Sequence, residues 1–224
     1  MQAVNHFWDR EHAGQALASE LLAYAGRTDT VVVALPNGGV AIGVEVARAL
    51  RAPLDFCVVR KLATPAFPEF AFGALASGGV RVLDREAMAQ LRLSDDEAAD
   101  ILAHERADLE RQEALFRPAR PLVPVTGRIA ILVDDGASTG ATLRAAAAAA
   151  RLQYPKRLVV AAPVGSSTAC ALLGAVADEV VCPVRPEPFH AVGLWYVHFP
   201  ELPEHEVREL LEHAEATAAG RGSW

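Results

Sequence analysis

A chain of 224 residues with 21 basic and 28 acidic side chains, a formal charge of −7, lacks the basic surface that displaces counterions from a phosphate backbone, which excludes a sequence-independent nucleic-acid binder. Its 52% hydrophobic and 22% charged composition excludes a largely disordered chain and suits one main core. Residues 1–25 do not run from a basic start through an apolar core to a small-residue cleavage site, and no stretch approaches about 18 uninterrupted apolar residues, so the expectation is a cytoplasmic chain that is neither exported nor membrane-spanning. Cys57, Cys170 and Cys182 lack CxxC spacing and lie in apolar stretches, which suits buried free thiols in a reducing compartment.

Taken in chain order, Asp9 is a good N-cap for a first helix with Leu17, Leu21 and Leu22 on one face. TVVVALP, from Thr30, reads as a buried strand; Gly38 and Gly39 turn the chain into VAIGVEVARALR, spaced for a helix, and PLDFCVVRKL supplies a second strand. ATPAFPEFAFG, from Ala63, holds two prolines and three phenylalanines without a steady period and reads as a mobile loop or flap. FGALAS and VRVLD, separated by Gly78 and Gly79, suit an antiparallel hairpin. Ser94 and Glu97 make a capping box for a long helix, and the charges of residues 95–117 form its solvated face.

Pro118, Pro121 and Pro124 then break the chain before RIAILVDD, LVVAAPV and EVVCPV, three short Val- and Ile-rich strands separated by helical stretches at 139–153 and 166–177. A final helix is expected from Leu202, with Pro203 in its first turn, ahead of a Gly- and Arg-containing tail expected to fray. Strands alternating with helices predict an α/β fold, a mainly parallel five-stranded sheet covered on both faces, with a flap hairpin.

The stretch VDDGASTGAT, residues 133–142, ends one of these strands with two adjacent acids and a loop of small and hydroxylated residues. Ligands of open parallel sheets bind beyond the carboxyl ends of the strands, where Asp134 and Asp135 fall. The loop can turn several N–H groups toward one point, with the hydroxyls of Ser138, Thr139 and Thr142 beside them and a helix N-terminus behind, which suits a phosphate. No Gly-Lys-Ser/Thr follows a glycine-rich loop and GxGxxG is absent, so neither the P-loop nor the dinucleotide fingerprint applies. GASTG, residues 136–140, does match the GxSxG nucleophile elbow, with Ser138 as a hydrolase nucleophile, but two acids just before it oppose a developing oxyanion. A plain helix cap needs one acid, and an adjacent pair with three hydroxyls exceeds that need.

RIAILVDDGASTGAT resembles the phosphoribosyl-pyrophosphate (PRPP) motif of type I phosphoribosyltransferases, a strand followed by two acids and a TGxT loop. PNGG after the first strand resembles the family's pyrophosphate loop, RKL after the second its basic strand end, and the flap and hairpin fall where the family has its flexible loop. The resemblance implies one phosphoribosyltransferase-like domain over residues 1–224, with a flap at about 61–85 and a small hood from the N-terminal helix and about 185–216.

By that resemblance Gly136, Ala137, Ser138, Thr139, Gly140 and Thr142 hold the 5-phosphate of PRPP, and Asp134 and Asp135 bond the ribose hydroxyls. Fixed negative charge there favours the oxocarbenium-like sugar left when pyrophosphate departs. The backbone of Asn37, Gly38 and Gly39, with Arg60 or Lys61, would hold the pyrophosphate; family members frequently carry a basic residue where Asn37 stands, so the diphosphate charge is met elsewhere. Mg²⁺ is the implied cofactor, bridging diphosphate oxygens and meeting Asp134 and Asp135 only indirectly.

Phe189, His190, Trp195 and Tyr196, in FHAVGLWYVHF, are the hood's candidates for the acceptor base, although aromatics in an apolar run more often belong to a core. Purine-salvage members typically carry a further acid inside the phosphate loop, where this chain has Ser138, which disfavours a 6-oxopurine. The implied partners are PRPP and a small nitrogenous base in nucleotide metabolism, with no nucleic acid or membrane and with self-association left open. A non-catalytic PRPP or nucleotide sensor on the same fold is the alternative.

Overall fold

A computed structural model describes residues 6–67, 70–117 and 122–219. The expected chain breaks at Pro118 and Pro121, the flap's Pro68 and the fraying tail at 220–224 lie outside the described residues.

Strands β1 (Thr30–Ala34), β2 (Leu54–Phe56), β6 (Ile129–Val133), β7 (Arg157–Ala161) and β8 (Glu179–Val181) form one sheet in the order β2-β1-β6-β7-β8, with every neighbouring pair parallel. β1 and β6 are buried along their whole length, which is why both read as continuous apolar runs. Alternate side chains enter two different cores: Val32, Ala34, Ile131 and Val133 join one, Val31, Val33, Ala130 and Leu132 the other. Helices α1 (Arg10–Glu20), α2 (Gly38–Leu50) and α7 (Glu204–Ala219) cover the first face. Helices α5 (Ala141–Arg151) and α6 (Ser167–Gly174) cover the second.

A second sheet, β3 (Val59–Ala63), β4 (Ala71–Ala76) and β5 (Val80–Leu83), is antiparallel and packs against α4 (Asp95–Phe116) and α5. The expected hairpin is therefore present, but it gains a third strand from PLDFCVVRKL, which was expected to be a single strand. Ser77 explains the division. Its N–H donates to the Val58 carbonyl at 3.0 Å and its Oγ accepts the Val58 N–H at 2.9 Å, so the chain leaves the parallel sheet after Phe56 and is fastened to the hairpin. The flap loop is correspondingly shorter than Ala63–Gly73, because Ala63 ends β3 and Ala71 begins β4.

Other boundaries differ for local reasons. Leu22, expected on the apolar face of α1, is exposed, because α1 ends at Glu20 and the chain tightens into a 3-10 turn over Leu22–Tyr24. A short helix, α3 (Arg85–Gln90), was not expected; Asp84 caps it by accepting the N–H groups of Glu86 and Ala87. The Ser94–Glu97 capping box is present on α4, and α7 starts at Glu204, after Pro203 rather than around it. Cys170 and Cys182 are buried and Cys57 is half-buried, all three as free thiols. No described helix is long and apolar enough to cross a membrane.

Candidate active site

The sheet order places a switch point between β1 and β6: the chain leaves β1 toward β2 on one side, and leaves β6 toward β7 on the other. Diverging connections open a crevice beyond the strand ends, which is where ligands of such sheets bind. Pro36–Gly39 emerges from β1 there and Asp134–Thr142 from β6, and the two segments touch. A Cβ added to Gly39 would stand 2.8 Å from the Val133 carbonyl oxygen and 3.0 Å from Asp134 Cα; one added to Gly38 would stand 1.9 Å from Asp135 Oδ2. Only glycines permit so close an approach, so PNGG and the acid pair form one unit.

Asp134 and Asp135 are carboxylate neighbours in a poorly solvated place. Burial, then the charge of Asp135, hold the Asp134 carboxyl well above its ordinary range, against the opposing Asp135 N–H and the Arg10 guanidinium. Burial also raises Asp135, with Arg10 working the other way. Asp134 Oδ1 accepts the Asp135 N–H at 2.9 Å. Asp135 Oδ2 accepts from Arg10 Nε at 2.9 Å, and the two side chains are 18% and 11% exposed.

The loop that follows has a buried floor and an open rim. Ala137 is 2% exposed; its N–H donates to the Val164 carbonyl and its own carbonyl accepts from the Ser166 N–H, both at 2.9 Å, so its backbone is committed to holding the loop. Ser166 Oγ donates to the Ser138 carbonyl at 2.7 Å and accepts the Ala169 N–H at 2.9 Å as the cap of α6. Ser138, Thr139 and Thr142 are exposed around a cavity of about 150 Å³ that also touches Asp134 and Gly136. Val192 closes the far wall: a Cβ on Gly136 would lie 2.4 Å from its Cγ1. Gly140, at φ 71°, turns the chain into α5, whose first N–H groups lack intrahelical partners.

Because Ser166 serves two bonds at once, Ser166→Ala is expected to lower stability by about 1 kcal/mol, the usual worth of a helix cap. That corresponds to about 2–4 °C in the thermal midpoint of a chain this size. Differential scanning calorimetry checks it, and an unchanged midpoint would mean that the loop is held without Ser166.

The remaining expected residues are distributed unevenly. Asn37 stands beside the acids, but its side chain is occupied: Nδ2 donates to the Leu202 carbonyl at 3.0 Å and Oδ1 accepts from Gln112 Nε2 at 3.3 Å. Its neighbours Gly38 and Gly39 open α2, with the unpaired N–H groups of a first helical turn. Arg60 and Lys61 lie on β3 in the antiparallel sheet. The Arg60 guanidinium is engaged by α4, donating to Glu105 at 2.7 Å and Asp108 at 3.1 Å, and no hydrogen bond or ion pair among the described residues joins Arg60 or Lys61 to the acid pair.

In FHAVGLWYVHF, Phe189 packs on the first core, His190 is exposed, and Trp195 stacks on His6 with ring centroids 5.5 Å apart. Tyr196 is buried, its phenol pushed up by that burial, and its hydroxyl donates to the Asp135 carbonyl at 2.6 Å. The segment before α1 meets the segment before α7 here: the Phe7 N–H donates to Trp195, and Val197 and His198 donate back to Phe7 and Trp8, each at 2.8 Å.

Arg10, Ser166, Val192 and Gln112 were not singled out from sequence. Ser166 carried a usable signal as the cap of an expected helix. Arg10 carried none, being one arginine in an exposed-looking first turn. Among the described residues no cluster of three or more His, Cys, Asp or Glu could hold a metal on its own.

A model of the phosphoribosyl transferase domain family matches residues 7–183. A Mycobacterium tuberculosis protein with a provisional phosphoribosyl transferase name is 42% identical over 218 residues, which cover 97% of this chain and 49% of that protein. The chain thus spans about half the length of the curated relatives it matches. Among solved structures, TT1426 from Thermus thermophilus superposes with a TM-score of 0.84 at 40% identity, covering 93% of this chain and 98% of that one. The AQ2163 protein from Aquifex aeolicus, at 11% identity, a TM-score of 0.52 and coverage of 90% and 84%, is alike in fold alone.

Proposed function

The chain belongs to the phosphoribosyl transferase family, with the α/β fold of its type I members, and from that premise we propose that it transfers ribose 5-phosphate from PRPP to a nitrogenous base and releases pyrophosphate. The observation that carries the reading is the contact of Gly38 and Gly39 with Asp134 and Asp135 at the switch point. It supports a reading in which sugar, phosphate and pyrophosphate share one crevice.

In this reading the rim at 136–142 and the N-terminus of α5 take the 5-phosphate, with Ala137 as scaffold instead of donor. The first turn of α2 offers N–H groups to the diphosphate, whose charge falls to those groups, to Mg²⁺, and to Arg60 and Lys61 if β3 moves toward them together with the flap at about 61–85. The acid pair lies under the ribose. As the bond to pyrophosphate breaks, positive charge grows on the sugar ring, and carboxylates already fixed in a poorly solvated place stabilise it without reorganising.

The donor set fits Mg²⁺: one carboxylate oxygen of each acid has no hydrogen-bond partner among the described residues, and Asp135 is already paired with Arg10, which suits contact through water. When bound, Mg²⁺ would neutralise diphosphate charge. In this reading the N-terminal helix and residues 185–216 form a hood over the crevice as part of the same domain. Phe189, His190 and Trp195 stay candidates for the base, whereas Tyr196 serves the backbone of Asp135. Ser138 as nucleophile is disfavoured, because among the described residues no hydrogen bond joins its hydroxyl to a histidine, and its carbonyl is the group in use.

Melting with saturating PRPP and Mg²⁺ tests the reading. Ligand at about 100 times its Kd adds about 2.7 kcal/mol, and that raises the midpoint by about 5–10 °C. Absence of any shift with PRPP or ribose 5-phosphate overturns it. Pyrophosphate release is then followed over a panel of nucleobases, and binding without release from any of them supports a sensor instead of a transferase.

A further inference from the structure

The acid pair has four carboxylate oxygens, and among the described residues two of them accept hydrogen bonds. Asp134 Oδ1 is taken by the Asp135 N–H and Asp135 Oδ2 by Arg10, each at 2.9 Å. Arg10 comes from the first turn of α1, 125 positions before Asp135. Its Nη1 also donates to the Pro200 carbonyl at 2.7 Å, and its guanidinium carbon lies 3.8 Å from the centroid of the Phe199 ring. Phe199 packs on Tyr196 at 4.6 Å, and Tyr196 bonds the Asp135 carbonyl. Asp135 is therefore gripped at its side chain by α1 and at its backbone by the segment between β8 and α7.

We propose that Arg10 is a positioning residue of the sugar site: it fixes Asp135 so that one oxygen from each acid faces the ligand, and it latches that arrangement to the hood, selecting a sugar phosphate with a vicinal diol. The proposal rests on the phosphoribosyltransferase reading. Adjacent carboxylates repel, and without a counter-charge one of them turns away, so the pair cannot present two parallel acceptors. Arginine suits the task because its rigid fork serves Asp135 and Pro200 at fixed angles while its face lies on an aromatic ring; lysine keeps the charge but loses the fork. Tyr196 alone cannot substitute, since it holds the Asp135 backbone and leaves the carboxylate free to rotate.

The test uses Arg10→Gln and Arg10→Lys, with titration calorimetry against ribose 5-phosphate, 2-deoxyribose 5-phosphate and inorganic phosphate, and circular dichroism to establish folding. Wild type is expected to prefer ribose 5-phosphate over its deoxy analogue by about tenfold, the worth of one hydrogen bond to a charged group. Arg10→Gln should bring that preference to within about twofold while leaving phosphate affinity within about twofold, and Arg10→Lys should fall between the two. Equal losses for all three ligands would mark a merely structural role and overturn the proposal, as would an undiminished diol preference in Arg10→Gln. If Arg10→Gln does not fold, Arg10→Lys decides alone: a reduced preference supports the proposal and a wild-type preference overturns it. Wild type that binds phosphate but neither sugar phosphate overturns the phosphoribosyltransferase reading as well, so the two failures are distinct.

Discussion

Replacing Asp134 by asparagine is expected to slow pyrophosphate release by about 10²- to 10³-fold, the usual effect of removing one preorganised electrostatic group from a transition state. The substitution isolates charge from shape. The carboxamide oxygen can still accept the Asp135 N–H that Asp134 Oδ1 accepts now, and Arg10 contacts Asp135 instead, so neither the loop nor the ion pair is disturbed directly. PRPP should bind the variant within about tenfold of wild type, because hydroxyl recognition survives in part while the developing charge goes unanswered.

The same change should raise stability at neutral pH. The Asp134 carboxyl is raised in the folded protein, by burial first and by Asp135 second, so the stability linked to it is present below the unfolded value of about 3.9 and is lost as pH rises through the folded value. Asparagine does not titrate. Melting curves from pH 4 to pH 8 should show the variant's advantage opening as pH rises and closing toward pH 4. A variant as active as wild type would remove Asp134 from the chemistry, and a variant less stable at neutral pH would contradict the cost assigned to burying the charge.

Gly39→Ala should be the more damaging structural change at the same crevice. Its Cβ would meet the Val133 carbonyl oxygen at 2.8 Å and Asp134 Cα at 3.0 Å, both backbone atoms at the end of a fully buried central strand that cannot step aside. Overpacking of this kind costs about 1–3 kcal/mol, and at about 2–4 °C per kcal/mol the midpoint falls by several degrees. Because α2 must back away from the acids, PRPP affinity should fall by about tenfold or more as well. Gly38→Ala makes a useful contrast: its Cβ meets the Asp135 carboxylate, a side chain that can swing off Arg10, so binding should suffer more than stability. Denaturant unfolding and PRPP titration of both variants separate the two effects. A Gly39→Ala protein as stable and as tight-binding as wild type would show that PNGG and the acid pair do not need their close approach.

Much of the fold was legible because its determinants are local. TVVVA and IAILV are unbroken apolar runs, which is what a strand buried on both faces requires, and both became central strands. Asp9 and the Ser94–Glu97 box mark helix starts through bonds that span only three residues, and both are in place. The acids and the loop of VDDGASTGAT sit at a strand end because a parallel strand must be followed by a connection there. In each case the sequence pattern and the physical cause occupy the same few residues.

What the pattern along the chain could not supply is set by partners far away in it. PLDFCVVRKL looks uniform, yet Ser77 divides it between two sheets. Arg60 reads as a free cation near a strand end until Glu105 and Asp108 of α4 are found beside it, and Asn37 reads as a loop side chain until Gln112 and Leu202 occupy both of its polar atoms. The sequence by itself determined most of the order of elements, the sheet's central strands and the place of the acid pair at a strand end, since apolar period, caps and residue type act over one or two turns. Only the tertiary structure decided that PNGG abuts those acids and that Phe7 and Trp8 exchange backbone hydrogen bonds with Trp195, Val197 and His198. It alone also decided that Arg10 takes one oxygen of Asp135, because a hydrogen bond across 125 positions leaves no periodic trace at either end.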